Sequence, residues 1–136
     1  MDIDWTEITS RNEKTFWGLL GLRMLSVDSS HVKLALTVNE SHLNSMGIVH
    51  GGVLSSMMDQ AMGTLVTANK NGQQAVTTNL NVTFLNAMRS GDLVVSAYPM
   101  HESQRSMTLR AEVHGEDGTL ACIATATFLV PRDSKS

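Results

Sequence analysis

The chain has 136 residues, a formal net charge of -3 and a single cysteine, Cys122. This length is expected to form one domain over residues 1–136 that folds without a disulfide or a metal, and the lone cysteine is expected to be a small buried core residue. The scattered charges, the absence of a long apolar run and the absence of a secretion signal predict a cytoplasmic protein that binds neither nucleic acid nor membrane.

The first predicted element is a short helix. Residues 1–8 look irregular or partly helical. Ser10 and Glu13 have the spacing of a capping box, and Gly21 follows an apolar run, so the pattern predicts a helix that starts from Thr9 or Ser10 and ends at Gly21. Its apolar side is expected to pack in the core, with a pocket wall as the alternative, and consists of Phe16, Trp17, Leu19 and Leu20.

Two strands follow, at residues 22–27 and 31–38. In the second, apolar residues alternate with mostly polar ones, which predicts one buried face and one solvent-facing face. The expected buried set is Val32, Leu34, Leu36 and Val38, and His31 falls on the solvent-facing side together with Lys33.

A long helix is predicted over residues 53–68, after a loop at 40–52. Its apolar arc contains Val53, Leu54, Met57, Met58, Ala61, Met62 and Leu65. The remaining arc carries small residues and Asp59, which is the only charged residue between Glu40 and Lys70. Asp59 could cap or pair locally on a solvent face, but such a face normally carries several charged residues, which favours a special role.

Four more strands are predicted at residues 75–85, 92–100, 105–114 and 119–130. Short links at 86–91 and 102–104 favour an antiparallel meander. The order of elements predicts an α+β fold, in which an antiparallel sheet of five to six strands wraps around one long helix. Sheet edges and the face bearing Asp59 are left without a partner, which favours a dimer.

The entrance to the long helix is marked by His50, Gly51 and Gly52. Glycines at this point allow close approach of a ligand to the backbone, and the first N–H groups of a helix have no partner within it. The helix dipole adds to their attraction for negative charge. This entrance is therefore predicted to bind an oxygen that carries negative charge.

The pattern Asn44-x-x-Gly47-x-x-His50-Gly51-Gly52, followed seven residues later by Asp59, resembles the hotdog-fold thioesterases of the phenylacetyl-CoA thioesterase (PaaI) type. The resemblance covers roughly residues 15–131 and includes the stretch 82–85 and the pair at 91–92. It implies the hotdog fold and an acyl-CoA substrate without a cofactor. It also implies a homodimer with shared active sites, commonly assembled as a homotetramer.

The resemblance also implies roles for individual residues. Asp59 matches the catalytic carboxylate, which acts as nucleophile or as base for water. Gly51 matches the residue whose backbone N–H polarises the thioester carbonyl. Asn44 and His50 match polar residues that orient the carbonyl, the water or the leaving thiol. Thr77 matches a Ser or Thr found near the attacking water in some members.

Thioester hydrolysis requires few catalytic groups. A pre-aimed donor stabilises the charge that develops on the carbonyl oxygen, and a carboxylate attacks or activates water. Because a thiolate is a good leaving group, no Ser-His-Asp arrangement is required. Substrate is expected to contact Gly47, Gly52 and the adaptable side chain of Met58. The CoA phosphates are expected at Arg89 and Arg105, with Arg132 as a further candidate.

Other interpretations stay open at this stage. His50 could serve only to satisfy backbone groups of its loop. His42, His50 and Asp59 could be read as metal ligands, but their spacing matches no standard zinc pattern, so no metal site is predicted. The chain could also be a non-catalytic acyl-CoA-binding domain, or an enoyl-CoA hydratase or dehydratase on the same fold.

Overall fold

A computed structural model describes residues 2–132, so the ends of the predicted 1–136 domain, Met1 and 133–136, lie outside the described residues. The described elements, in chain order, are α1 (Trp5–Asn12), α2 (Phe16–Leu20), β1 (Arg23–Asp28), β2 (His31–Thr37), a 3-10 turn (Glu40–His42), α3 (Gly51–Asn69), β3 (Val76–Phe84), β4 (Asp92–Glu102), β5 (Ser106–His114) and β6 (Leu120–Leu129). The strands form one antiparallel sheet in the order β1-β2-β4-β5-β6-β3. The predicted hotdog fold is confirmed.

Helix α3 packs across the sheet and contacts all six strands. Its buried residues are Leu54, Met57, Met58, Ala61, Met62, Leu65 and Val66. This is the predicted apolar arc, except that Val53 is only half-buried and Val66 is added. Fully burying a Leu or Met side chain contributes about 1.5–3 kcal/mol, so this helix supplies a large share of the core.

Strand β3 lies at a sheet edge, and this corrects the predicted meander. It pairs with β6, whereas β4 pairs with β2 and β5, so the link at 86–91 crosses between strands that are not neighbours. The physical reason is burial. Leu93, Val95 and Ala97 of β4 are fully buried, whereas β3 exposes about half of Val76 and Phe84. The meander prediction holds for β4, β5 and β6.

The N-terminal helix differs from its prediction. Two helices replace the single one, and α1 is capped by Asp4, whose Oδ1 accepts a 3.0 Å hydrogen bond from the N–H of Glu7. Ser10 lies inside α1 and does not cap it. The chain turns so tightly that a Cβ on Gly18 would overlap the carbonyl oxygen of Glu13. Gly21 ends α2 with φ 81°, as predicted.

Two further predictions concern single side chains. Cys122 is buried, as predicted, and burial raises the pKa of its thiol to about 12. His31 is only half-exposed, because its ring stacks on Tyr98 with centroids 4.8 Å apart. Within residues 2–132, no helix combines the length and the hydropathy that crossing a membrane requires.

Candidate active site

Asp59 and Thr77 meet in the structure, although they come from different elements. The hydroxyl of Thr77 on β3 donates a 2.8 Å hydrogen bond to Oδ1 of Asp59 on α3. The pairing of β3 with β6 is irregular between Thr77 and Asn79. Asp59 is half-buried, and its Oδ2 accepts no hydrogen bond from residues 2–132. One carboxylate oxygen is therefore held while the other is available for chemistry.

A pocket of about 220 Å³ lies beside this carboxylate. Its floor is close-packed, since a Cβ on Gly63 would lie 3.3 Å from the ring of Phe128. One wall comes from α1, through Trp5 and Ile8. This wall was not predicted from the sequence. The three-residue spacing of Trp5 and Ile8, which places both on one helix face, is the signal that would have revealed it.

His50 caps helix α3. Its Nδ1 accepts a 2.7 Å hydrogen bond from the N–H of Gly52, so Nδ1 is unprotonated and Nε2 carries the hydrogen of the neutral ring. His50 therefore does satisfy a backbone group of its loop, as the alternative interpretation of the sequence expected. The same bond occupies the N–H of Gly52, which is not available to a substrate.

The N–H of Gly51 has no acceptor among the described residues. The ring of Phe84 packs over this residue, and a Cβ on Gly51 would lie 3.0 Å from Cζ of that ring. Asn44, Gly51 and Phe84 line a second pocket of about 350 Å³. A free backbone donor thus borders a cavity with an aromatic wall, which suits the predicted binding of a carbonyl oxygen.

Asn44 holds the loop in front of this entrance. Its Oδ1 accepts hydrogen bonds from the N–H groups of Met46, at 2.9 Å, and Ile48, at 3.3 Å. Gly47 lies between them with φ 77°, a left-handed conformation that favours glycine. Gly47 therefore shapes the turn. The side-chain amide nitrogen of Asn44 donates no hydrogen bond within residues 2–132 and is free for a ligand.

The two halves of the predicted site are separated within one chain. Asp59 follows Gly51 by eight residues on α3, which corresponds to about 12 Å along the helix axis. Among the described residues, none lines both pockets. A thioester bound at the Gly51 amide is therefore out of reach of Asp59 in the same protomer.

Three other residues predicted to contact substrate line neither pocket, namely Met58, Arg89 and Arg105. Met58 lies fully buried in the core, with Sδ 3.8 Å from Sγ of Cys122, and lines neither pocket, so its position does not fit the predicted contact. Arg89 is exposed and follows Met88, which lines the second pocket. Arg105 is half-buried, and its Nε lacks a hydrogen-bond partner.

His42 is a structural residue. It is buried, its Nδ1 accepts a hydrogen bond from the N–H of Asn39 at 3.0 Å, and its Nε2 lies 2.8 Å from the carbonyl oxygen of Leu20. Both nitrogens are used inside the fold, so His42 is not available as a ligand beside His50 and Asp59. Over residues 2–132, no three His, Cys, Asp or Glu side chains are placed to hold a metal ion.

Comparison with known proteins gives the family. The family model described as "Thioesterase superfamily" matches residues 46–122. A Deinococcus radiodurans protein named "Putative esterase" is 32% identical over 111 residues, which are 80% of this chain and 74% of that protein. Human "Acyl-coenzyme A thioesterase 13" is 24% identical over 93 residues, covering 67% of this chain and 66% of that protein.

Solved structures agree on the fold. The structure described as "Hypothetical Thioesterase Protein with Coenzyme A" from Streptococcus pneumoniae is 25% identical, covers 82% of this chain and 86% of that one, and has a TM-score of 0.77. The PaaI protein of E. coli has a TM-score of 0.85 at 21% identity, with 93% and 92% coverage, and shows the shared fold alone. The family model spans more than half of the chain, and the predicted class of enzyme, a thioester hydrolase, is confirmed. The chain belongs to the thioesterase superfamily.

Proposed function

We propose that this chain hydrolyses acyl-CoA thioesters to a free carboxylic acid and CoA, at sites shared by the two protomers of a homodimer. One observation carries the proposal. Asp59 and the unpartnered N–H of Gly51 lie about 12 Å apart on the same helix, each in its own pocket. A complete site then requires Asp59 from one protomer and Gly51 from another.

Gly51 supplies the electrostatic part of the mechanism. As water or a carboxylate attacks the thioester carbon, negative charge develops on the carbonyl oxygen. The N–H of Gly51 has no acceptor in the described chain and stands at the positive end of the α3 dipole. A donor fixed at this point is typically worth about 10²- to 10³-fold in rate.

Asp59 acts as general base or as nucleophile. As a base, its free Oδ2 removes a proton from water, the hydroxide oxygen bonds to the acyl carbon, and the bond to sulfur breaks to release CoA thiolate. As a nucleophile, its Oδ2 bonds to the acyl carbon, the bond to sulfur breaks to release CoA thiolate, and water then hydrolyses the resulting mixed anhydride to the free acid and the regenerated carboxylate. Either role is expected to contribute on the order of 10²- to 10⁴-fold. Thr77 holds the other oxygen, Oδ1, and so fixes the direction of the carboxylate.

Asn44 and His50 supply further donors at the entrance. The side-chain nitrogen of Asn44 and Nε2–H of His50 make no hydrogen bond within residues 2–132. Both are therefore available to orient the thioester carbonyl or the leaving sulfur. His50 is exposed and already acts as a cap, so its catalytic contribution is the smaller of the two.

CoA is proposed to enter along the second pocket. The Streptococcus pneumoniae relative is described with coenzyme A, which supports the same ligand here. Arg89 is exposed and lies next to Met88 of that pocket, which makes it a candidate for the CoA phosphates, whereas the unpartnered Nε of Arg105 is buried and Arg105 does not line that pocket. Gly47 keeps the loop beside the pocket in place.

The free edge of β3 supports assembly. This edge strand exposes about half of Val76 and Phe84, and unpaired sheet edges favour pairing with another chain. A two-fold contact along β3 would place two copies of the Thr77 and Phe84 region close together. We propose the homodimer as the catalytic unit, within a homotetramer.

Steady release of thiol from a panel of acyl-CoAs, followed colorimetrically, tests the proposal. We expect turnover by the wild-type chain and a loss of at least about 10²-fold for Asp59→Ala. Asp2→Ala is the control, because Asp2 is exposed and lines neither pocket. Binding without thiol release would indicate a non-catalytic domain, and a change in enoyl absorbance without thiol release would indicate a hydratase.

A further inference from the structure

Helix α1 presents one face to the pocket beside Asp59. Trp5, Ile8 and Arg11 are spaced three residues apart, a spacing that places them on the same side of a helix, and all three line the pocket. We propose that this pocket selects acyl groups ending in a carboxylate, and that Arg11 binds that carboxylate. The inference rests on the proposed acyl-CoA hydrolysis and adds the class of acyl group.

The apolar stripe of α1 is not used to build the core. Trp5 and Ile8 are half-buried, and no residue of this helix is fully buried. An amphipathic surface helix normally buries its apolar side against other elements. Here that side borders an open pocket whose floor is Phe128. Trp5, Ile8 and Phe128 therefore offer an apolar surface to the carbon chain of an acyl group.

The part of the pocket that one protomer provides is small. Its volume of about 220 Å³ is below the roughly 300–1,000 Å³ of sites that enclose drug-sized ligands. A Cβ added at Gly63 would press against the ring of Phe128, so the floor has no room to deepen. A short acyl group fits this space within one protomer.

The rest of the pocket is polar, which a purely aliphatic acyl group would not need. Among the side chains that line it, several make no hydrogen bond within residues 2–132, namely Asn12, Gln60, Thr67 and Gln74. A ligand that covered these groups without bonding to them would leave each one desolvated and unsatisfied, which opposes binding. The far end of the acyl group is therefore expected to be polar.

Arg11 indicates that the polar end of the acyl group is negatively charged. It is the only cationic side chain among the described residues that line the pocket. Glu7 stands four residues before it, a spacing that suits an ion pair, yet the ion pairs within residues 2–132 are Arg23–Asp92 and Lys70–Glu102. An unpaired guanidinium has two parallel donors that match a carboxylate, which favours an anionic terminus over a hydroxyl.

The test compares adipyl-CoA with hexanoyl-CoA, whose acyl groups have the same chain length and differ in the terminal carboxylate. We expect a kcat/KM for adipyl-CoA that is roughly ten- to a hundred-fold higher, from a charge-assisted hydrogen bond. Arg11→Met should bring the ratio to about one, and Arg11→Lys should keep part of it. Lys14→Met also removes one positive charge, but Lys14 lines neither pocket, so this control should keep the wild-type ratio.

Binding of both CoA esters to Asp59→Ala, measured by calorimetry, separates this inference from the proposed function. Tighter binding of adipyl-CoA that disappears in Asp59→Ala/Arg11→Met supports the carboxylate site even if no thiol is released. The carboxylate site at Arg11 is overturned if the wild-type chain has equal kcat/KM and equal affinity for the two esters. It is also overturned if the preference for adipyl-CoA remains in Arg11→Met. A ring-hydroxylated aryl-acyl-CoA hydrolysed faster than adipyl-CoA would also overturn it, by assigning the polar side chains to a hydroxyl.

Discussion

The hydroxyl of Thr77 donates a 2.8 Å hydrogen bond to Oδ1 of Asp59, and this contact ties an edge strand to the central helix. The carboxylate thereby presents its other oxygen to the pocket. Since β3 is also the edge that a second protomer is proposed to cover, assembly and the orientation of Asp59 depend on the same strand.

Thr77→Val keeps the shape of the side chain and removes the hydrogen bond. We expect kcat to fall about ten-fold while KM changes little, because the lost bond is made to Asp59 and not to substrate. Steady-state thiol release measures both constants. Thr125→Val on the neighbouring strand β6 is the matched control, since Thr125 is exposed, lines neither pocket and lies away from the free edge of β3. Equal effects of the two substitutions would argue against a positioning role for Thr77.

His50→Ala removes the cap of α3. We expect a loss of about 1 kcal/mol in the free energy of unfolding, which corresponds to about 4 °C in Tm. His50→Asn should restore most of the stability, because Asn is a good capping residue. Thermal unfolding measures the difference. If His50→Asn recovers Tm but not turnover, then the imidazole has a catalytic role beyond the cap.

Cys122 is expected to be unreactive in the folded chain. Burial raises the pKa of its thiol from 9.0 to about 12, so the folded state holds the proton where the unfolded state has lost it. Its stabilising contribution is therefore full below pH 9 and is lost as the pH rises towards 12. A chromogenic disulfide reagent should label the native protein very slowly at pH 8 and react at once in denaturant. Rapid labelling of native protein would contradict the buried position.

A Cys122→Ser variant checks the alkaline part of this expectation. The serine hydroxyl does not ionise in this range, so the wild-type chain should lose more stability than the variant between pH 9 and pH 12. Denaturant unfolding at several pH values measures the two curves. Parallel curves would assign the alkaline loss of stability to other groups.

Much of the fold could be predicted because the signals are local. The apolar arc of α3 and the alternation in β2 specify which faces are buried. The pairing of β3 with β6 could not be predicted from local patterns. It depends on how far each strand is buried in the completed sheet. A short N-terminal helix was predicted correctly, but its bounds were not, because the approach of Gly18 to Glu13 is a backbone contact that the capping pattern at Ser10 does not reveal.

The sequence motif predicted some residues of the candidate site and missed others. The motif names Asn44, Gly51 and Asp59 together, and the structure places Asn44 and Gly51 in one pocket and Asp59 in the other. The spacing of eight helical residues corresponds to about 12 Å, so the sequence already separates the acid from the amide within one chain. The contribution of α1 also went unseen, because Trp5 and Arg11 reach the pocket through tertiary packing.

The shared site is tested most directly by mixing two inactive variants. Asp59→Ala removes the acid, and Gly51→Val blocks the entrance, because a side chain there meets the ring of Phe84. In a mixed dimer, one of the two sites combines the intact Asp59 with the intact Gly51, whereas the other site has lost both. After free exchange of subunits in equal amounts, we expect recovery of about a quarter of wild-type turnover. No recovery, with mixed dimers demonstrated by mass, would place the whole site within one protomer and contradict the shared active site.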